Sequence, residues 1–295
     1  MSLGSWRTFE RIPRDEGVAV MRAAQEAGID FLDDARYDDE TGEAPLRTGW
    51  SEIVFGELFR AAGWDRDAVV VANKLWWEHW PDEDAAAELD GSLERMGLSH
   101  VDLIYAIRPP DGLPVATVVE QVAGVIESGR ARFWGTGMWS ADQHVVALDV
   151  CDATGAPPPV AAQMACSLVD HAGPDDPVMR RALDRGQIGL VASYVLAGGT
   201  LTGKYGRGES GRASDDPTPV LEAGKSVATG VTELADAWSV PASHVAFAYA
   251  LQHPQLASIV FGASSAEQLR ENVGAWETYA AMTPAQLASI RDLAA

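Results

Sequence analysis

Short apolar runs alternate with segments of helical periodicity along nearly the whole chain. Residues 68–73 form an apolar run, Ala-Val-Val-Val-Ala-Asn, which is typical of a buried strand. Residues 15–27 repeat apolar positions at helical spacing and precede Gly28, a residue that favours a helix C-cap. By this pattern we predict eight strands, over residues 3–9, 29–33, 68–73, 101–107, 131–136, 160–164, 188–195 and 257–261.

Helical periodicity fills the intervals between these strands. It predicts helices over residues 15–27, 51–62, 82–96, 115–128, 140–151, 177–184, 220–237, 243–252, 265–275 and 284–293, with a glycine-rich loop before Pro219. Alternation of strand and helix implies parallel strands joined by right-handed crossovers. The count of eight favours an α/β fold closed as a (β/α)8 TIM barrel. A doubly wound sheet is the alternative, but no Gly-x-Gly-x-x-Gly follows the first strand. Without a linker or an internal repeat, we expect one barrel domain over residues 1–295.

The composition excludes several classes of partner. The 295 residues include 43 Asp or Glu and 22 Lys or Arg, which gives a formal net charge of −21. Such a field repels nucleic acids and anionic membrane surfaces. The chain has no apolar run of about 18 residues and no signal-peptide pattern at its start. Cys151 and Cys166 match no metal or redox spacing. We therefore expect a cytoplasmic protein with no nucleic-acid, membrane or metal partner.

Three polar side chains lie at or just after predicted strand ends: Asp33, Tyr37 and Lys74. Carboxyl ends of barrel strands converge on one face, so we expect these side chains to meet. A buried lysine needs an anion, which Asp33 would provide. Lys74 would then lower the pKa of the Tyr37 phenol, and Tyr37 would donate a proton. The alternatives are a turn or helix-cap role for Asp33 and a rim position for Tyr37.

Tryptophan is frequent, with ten residues, and half of them follow predicted strand ends. For any one of them, packing in the core or an interface is the ordinary expectation. Together they predict an aromatic-walled apolar pocket, which would also suit a cationic substrate. The five are Trp6, Trp76, Trp77, Trp80 and Trp139.

Seven stretches, in order along the chain, resemble motifs of the aldo-keto reductase family. Residues 28–35, Gly-Ile-Asp-Phe-Leu-Asp-Asp-Ala, and residues 71–74, Val-Ala-Asn-Lys, resemble the family's motifs around its catalytic Asp and Lys. The others are residues 101–109, 129–139, 162–163, 196–205 and 262–272. This resemblance implies a (β/α)8 barrel that binds NADPH without a Rossmann unit, with NADH as the alternative cofactor. It also implies hydride transfer to the carbonyl of a small-molecule substrate.

The same resemblance implies roles for individual residues. It gives Asp33, Tyr37 and Lys74 as the catalytic group, although Tyr37 lies one residue earlier than the family's spacing. It assigns the substrate pocket to Trp76, Trp77, Ile107 and Trp139. It implies a nucleotide site formed by Trp6, Gln163, Ser193, Tyr194, Leu196, Gly198, Thr202, Lys204, Gly262, Ser264, Gln268, Glu271 and Asn272.

The chain departs from the family's pattern at four places. Ile107 stands where the family has its catalytic His, and Ile can neither polarise a carbonyl nor relay a proton. Gly137 and Met138 replace a Ser-Asn pair that holds the nicotinamide carboxamide, and Ser264 replaces an Arg that in many relatives meets the 2′-phosphate. The first barrel strand lies at the very start, without the usual hairpin. Another element, such as the partner in a homo-oligomer, is expected to cover the lower barrel end.

Three functions follow as hypotheses. The first is a nicotinamide-dependent reductase whose substrate, apolar or cationic, carries an imine or an activated C=C bond, because such bonds need less help than a ketone. The second is a catalytically impaired protein that binds a nucleotide or serves as a subunit. The third is a non-redox enzyme, such as a lyase, on the same scaffold.

Overall fold

Eight parallel strands close into a barrel in the order in which they occur along the chain. The computed structural model describes residues 1–209 and 219–294. The expected (β/α)8 barrel is therefore confirmed, with each strand paired to its sequence neighbours and β1 paired to β8. The strands are β1 (Ser2–Gly4), β2 (Phe31–Asp33), β3 (Val70–Leu75), β4 (Val101–Ile107), β5 (Ala131–Gly137), β6 (Ala161–Ala165), β7 (Gly189–Ser193) and β8 (Leu256–Phe261).

The α-helices lie outside this barrel. Five of them start at a residue whose side chain caps the helix among the described residues; for example, the Ser140 side chain accepts from the backbone N–H of Gln143. Their bounds are α1 (Arg14–Glu26), α2 (Trp50–Ala62), α3 (Ala85–Met96), α4 (Val115–Glu127), α5 (Ala141–Thr154), α6 (Ala172–Asp175), α7 (Pro177–Gly186), α8 (Pro219–Trp238), α9 (Ala242–Leu251), α10 (Ala266–Ala281) and α11 (Pro284–Asp292).

The structure corrects the predicted bounds at several places. The first strand ends at Gly4, because the chain turns at Ser5 and residues 9–11 form a short 3-10 helix with Phe9 buried. Helix α3 begins three residues later than predicted, since the Asp84 side chain caps it. The glycine-rich loop contains two further 3-10 helices, Ala197–Thr202 and Lys204–Arg207, and part of it, residues 210–218, lies outside the described residues.

Apolar side chains pack on both faces of the barrel strands. The larger cluster packs the outer face of the sheet against the helices, with Trp134 and Phe55 fully buried in it. A smaller cluster fills the barrel interior and includes Leu103, Tyr105 and Ile107, alternate residues of β4. Along each strand, the interior residues therefore follow one another from the amino end of the barrel to its carboxyl end, where the polar strand-end residues lie.

The amino end of the barrel exposes hydrocarbon. Val70 and Phe133, two positions before the interior residues Ala72 and Gly135 on their strands, are 39% and 56% exposed. This is the end that we expected a further element to cover, and a covering subunit remains a prediction. Among the described helices, none has the length and apolar character needed to cross a membrane.

Candidate active site

An ion pair forms at the carboxyl ends of β2 and β3. The Lys74 ammonium donates to Asp33 Oδ1 at 2.5 Å, and both side chains are nearly inaccessible to solvent. Burial lowers the pKa of Lys74, but attraction by Asp33 and by Tyr37 outweighs it and the net pKa is raised. Lys74 therefore stays charged at neutral pH, as its pairing with Asp33 predicted.

Tyr37 lies beside this pair on the loop after β2. The Lys74 nitrogen is 5.5 Å from the centre of the Tyr37 ring, which packs edge-on against Trp76. Burial of the phenol raises its pKa above the ordinary value of 10, although the charge of Lys74 lowers it. Lys74 thus lowers the pKa of the phenol as we expected, but desolvation has the larger effect, because Asp33 already neutralises that ammonium. The phenol is thus protonated at neutral pH.

A hydrogen bond across the barrel connects this group to β6. Gln163 Nε2 donates to Asp33 Oδ2 at 2.8 Å, and β2 and β6 lie on opposite sides of the closed barrel. Below it, Tyr105 is fully buried, and its pKa is raised by burial and by the charge of Asp33. Both carboxylate oxygens of Asp33 are therefore engaged, one by a charged donor and one by a neutral amide.

Ile107 lines the position beside this polar group. It pairs in register with Gly137 on β5, which pairs with Gln163 on β6. The Ile107 carbonyl accepts from the Trp77 indole at 3.1 Å, which fixes the end of β4. The side chain offers only hydrocarbon, so Tyr37 faces the cavity without a second titratable donor at this position.

A cavity of about 480 Å³ opens above these residues. Most of its wall is apolar, and a few polar side chains interrupt it, as in many small-molecule sites. Its lining consists of Gly4, Trp6, Asp33, Tyr37, Lys74, Trp76, Ile107, Gly137, Met138, Gln163, Ser193, Tyr194, Val195, Leu196, Gly198, Gly199, Lys204, Val260, Phe261, Gly262 and Gln268.

The family model described as "Aldo/keto reductase family" matches residues 1–295. The chain belongs to the aldo/keto reductase family. Membership supports a nicotinamide-dependent oxidoreductase and accounts for a barrel whose cavity lies at the carboxyl ends of the strands.

Two relatives of this chain carry another description. A protein of Oryza sativa subsp. japonica named "Probable voltage-gated potassium channel subunit beta" is 29% identical over 304 residues, which cover 96% of this chain and 89% of the relative. A protein of Arabidopsis thaliana with the same name is 26% identical over 313 residues, which cover 99% of this chain and 92% of the relative. Similarity to proteins with this name therefore extends over nearly the whole chain.

The far end of the cavity fits the nicotinamide nucleotide that the family implies. Lys204 is brought close to Gly199, where an added Cβ would lie 2.9 Å from the ammonium nitrogen. The glycine thus leaves room for a cation that lines the cavity, as a phosphate site needs. Of the residues predicted for the nucleotide, nine line the cavity: Trp6, Gln163, Ser193, Tyr194, Leu196, Gly198, Lys204, Gly262 and Gln268.

Four others predicted for the nucleotide do not line the cavity. The Thr202 hydroxyl donates to the Gly199 carbonyl, and the Glu271 carboxylate accepts from Ser243. The backbone N–H of Ser264 donates to the Gln268 side chain, and Asn272 is buried. Ser264, Glu271 and Asn272 lie at or in the first turns of α10, and Thr202 ends the 3-10 helix Ala197–Thr202, outside the cavity lining.

The predicted aromatic wall is only partly present. Trp6 and Trp76 line the cavity, whereas Trp77 and Trp139 do not, which corrects their assignment to the substrate pocket. Trp77 and Trp139 are 2% and 3% exposed and pack in the outer core, because the backbone turns outward after the strand ends. Trp80 packs against that same core and also lies away from the cavity.

Two residues that hold the site in place, Glu88 and Arg36, belong to none of the sequence motifs. The Glu88 carboxylate, on α3, accepts from the backbone N–H groups of Trp76 and Trp77 at 2.8 and 3.1 Å. Arg36, which follows β2, donates to the same carboxylate at 3.1 Å. The one signal in the sequence was a glutamate on the apolar side of a helix, which indicates a buried partner.

Proposed function

We propose that this protein is an NADPH- or NADH-dependent reductase in which Tyr37 donates the proton. The observation that carries the proposal is the buried Asp33–Lys74 pair beside the Tyr37 ring at the cavity wall. When bound, the reduced nicotinamide supplies a hydride to an electrophilic carbon of the substrate. For an imine, the π-electron pair then passes to nitrogen, which takes the Tyr37 proton and becomes an amine.

Each of the three side chains contributes differently. Tyr37 holds its proton at neutral pH and releases it to an atom that becomes basic during hydride transfer. Lys74 stabilises the phenolate that remains, and Asp33 keeps Lys74 charged and oriented. Gln163 fixes the second oxygen of Asp33, so the pair keeps one arrangement.

Ile107 favours a substrate with a C=N or an activated C=C bond. A carbonyl oxygen at this end of the cavity would receive a hydrogen bond from Tyr37 but none from residue 107. Loss of one such donor costs about 2.7–4 kcal/mol of transition-state stabilisation. A neutral imine nitrogen gains positive charge as it takes the Tyr37 proton, so it needs no second donor, and the rings of Trp6 and Trp76 in the cavity wall suit that charge.

The choice between NADPH and NADH depends on cations near the adenosine end. Arg270 donates to Glu26 at 3.1 Å on the surface, so it offers little charge to a 2′-phosphate in this arrangement. Ser264 adds only a hydroxyl and a backbone N–H, both directed at Gln268. We therefore propose that both nucleotides are accepted.

Fluorescence titration with NADPH and NADH, followed by assays of cyclic imines, enones and aldehydes, tests the proposal. We expect saturable binding of at least one nucleotide and faster turnover of imines or enones than of aldehydes. Absence of binding would refute the reductase. Brisk turnover of simple aldehydes with none of imines would refute the substrate preference, and product formation without nucleotide would favour a lyase.

A second candidate function is that of an accessory subunit, which the names of the rice and Arabidopsis relatives favour. In that case the barrel would bind a nucleotide and associate with a voltage-gated potassium channel. Mixing with the cytoplasmic region of such a channel, followed by size-exclusion chromatography, would detect a complex. If the Tyr37→Phe variant formed that complex normally while the wild type showed no turnover, the subunit function would be preferred.

A further inference from the structure

Three cavity residues on neighbouring strands form a row: Ile107, Gly137 and Gln163. The middle residue, Gly137, has no side chain, and the side chain of Ile107 fills the space beside it. The three residues are register partners on β4, β5 and β6, and all line the cavity. A Cβ added at Gly137 would lie 2.4 Å from Cδ1 of Ile107. Carbon atoms pack at about 3.5–4.0 Å, so the Ile107 methyl already occupies the space of a side chain at position 137.

Backbone conformation does not demand glycine at this position. Gly137 lies in a strand and is absent from the described residues with positive φ, so any L-residue could adopt its conformation. The remaining contacts of the added Cβ, with Cγ1 and Cα of Ile107, are ordinary at 3.7 and 3.8 Å. A single methyl group therefore accounts for the glycine.

Hydrogen bonds at the end of β4 restrain the Ile107 backbone from moving away from Gly137. Its carbonyl accepts from the Trp77 indole, and the backbone N–H of Arg108 donates to the Gly137 carbonyl at 2.9 Å. The Ile107 side chain is 6% exposed, so only a small part of it faces the cavity. A larger residue at 137 would have to turn the Cδ1 methyl toward the substrate.

We propose that Ile107 and Gly137 act as one specificity-determining unit, in which the methyl of Ile107 covers Gly137 and sets an apolar wall beside Tyr37. The inference rests on the proposed reductase function. The part of the substrate beside Ile107 and Gly137 contacts the hydrocarbon of the Ile107 side chain, while Tyr37 provides the proton. This arrangement selects compact imines with an apolar flank and disfavours carbonyl substrates that need a second donor.

A double-mutant cycle that moves one methyl group across the contact tests the proposal. Ile107→Val removes Cδ1, and Gly137→Ala adds Cβ. We expect G137A to lower kcat/KM for a cyclic imine with NADPH at least tenfold and to lower the unfolding temperature by a few degrees. The I107V/G137A double variant is expected to recover most of both losses. Additive losses, with the double variant worse than either single variant, would overturn the proposal.

Ile104 provides a matched control on the same strand. It is fully buried and faces the outer core, so Ile104→Val removes the same methyl group without approaching Gly137. We expect I104V and G137A to be additive in unfolding temperature. Equal recovery by I104V and I107V would show a general relaxation of β4 and would contradict a specific pair.

Two further measurements keep this inference separate from the proposed function. The coupling between the two substitutions is measured by unfolding temperature and requires no nucleotide. Coupling without nucleotide binding would refute the proposed reductase function. Nucleotide binding with additive effects of the two substitutions would refute the Ile107–Gly137 unit. Ile107→His is expected to raise the ratio of aldehyde to imine kcat/KM at least tenfold. An unchanged ratio would overturn the specificity role, and this test holds even if G137A fails to fold.

Discussion

Two adjacent aspartates at the end of β2 have opposite environments. Asp33 points into the barrel and pairs with Lys74, whereas Asp34 points outward. Asp34 is fully buried; one oxygen accepts from the Ser5 hydroxyl, and the other has no hydrogen-bond partner among the described residues. Burial first, and then the charge of Glu52, raises the pKa of Asp34 well above its ordinary value of 3.8. Asp33 is therefore the counter-ion of Lys74, and Asp34 is a carboxyl that resists ionisation.

Asp34→Asn is expected to remove a pH dependence of stability. Because the native pKa of Asp34 is raised, its contribution to the free energy of unfolding is complete below about pH 4 and is lost as pH rises through the native pKa. Relative to the wild type, the variant should therefore gain stability as pH rises from 4 to 8. Chemical denaturation at both pH values measures this, and a constant difference would contradict it.

Tyr37→Phe is expected to lower kcat for reduction by about 10²–10⁴ while leaving the Kd of the nucleotide nearly unchanged. In the proposed mechanism the phenol donates the proton, and its loss removes no contact that the nucleotide must have. Since burial raises the Tyr37 pKa, the wild-type rate should stay flat from pH 7 to 10, as steady-state assays can measure. A decline centred near pH 8, or full activity of the variant, would assign the proton to another group.

At the residue scale, charge pairing could be predicted and desolvation could not. Lys74 at a strand end required an anion, and Asp33 at the neighbouring strand end was the natural one. The sign of the Tyr37 shift depended on how completely the loop after β2 buries the phenol, which no spacing in the sequence encodes. The closeness of the Ile107 methyl to Gly137 likewise depends on a side-chain conformation that no sequence pattern indicates.

At the element scale, helix α3 positions the cavity wall although it contributes no lining residue. Glu88 binds two backbone N–H groups just after β3 and is 3% exposed. Arg36 connects the same carboxylate to the segment after β2, so one buried glutamate joins the loops that carry Trp76 and Tyr37. The geometry of the site thus depends on a residue outside the barrel.

Glu88→Gln is expected to lower the free energy of unfolding by about 2 kcal/mol, because an amide cannot accept from both backbone N–H groups. The freed Trp76 should also raise KM for substrate more than it lowers kcat. Urea denaturation and steady-state kinetics measure the two effects. Glu83→Gln is the control: Glu83 also pairs with Arg36, at 3.5 Å, but is more exposed. Equal effects of the two variants would show that only the charge near Arg36 matters.

Periodicity predicted the order and type of the elements, but the segments after strand ends were less predictable. The count of strands came directly from alternation, and a barrel needs little more. The five tryptophans after strand ends all appeared equivalent in sequence, yet the backbone directs Trp76 to the cavity and Trp77, its neighbour, to the core. Trp77 adopts a positive φ of 64°, a local choice that hydrophobic patterning does not indicate.

On the scale of the whole molecule, a strongly acidic protein concentrates scarce ammonium groups in its cavity. Only three lysines occur in the chain, Lys74, Lys204 and Lys225, and the first two line the cavity. Asp33 neutralises Lys74, so Lys204 is the lysine of the cavity wall that we expect the phosphates to contact. The net charge of −21 would therefore repel an approaching nucleotide, and favourable charge would act on it only once it is inside the cavity.

This balance predicts how salt changes the preference between nucleotides. NADPH carries one more phosphate than NADH, so the distant acidic surface repels it more. Raising NaCl from 10 to 150 mM shortens the Debye length from about 30 Å to about 8 Å and screens distant charges more than a contact with Lys204. The ratio of Kd for NADH to Kd for NADPH should therefore rise by about twofold or more. Fluorescence titrations measure this ratio. Lys204→Met should weaken the binding of both nucleotides, and the ratio should still rise with salt. A ratio that falls with salt would mean that cations near the 2′-phosphate outweigh the field of the whole protein.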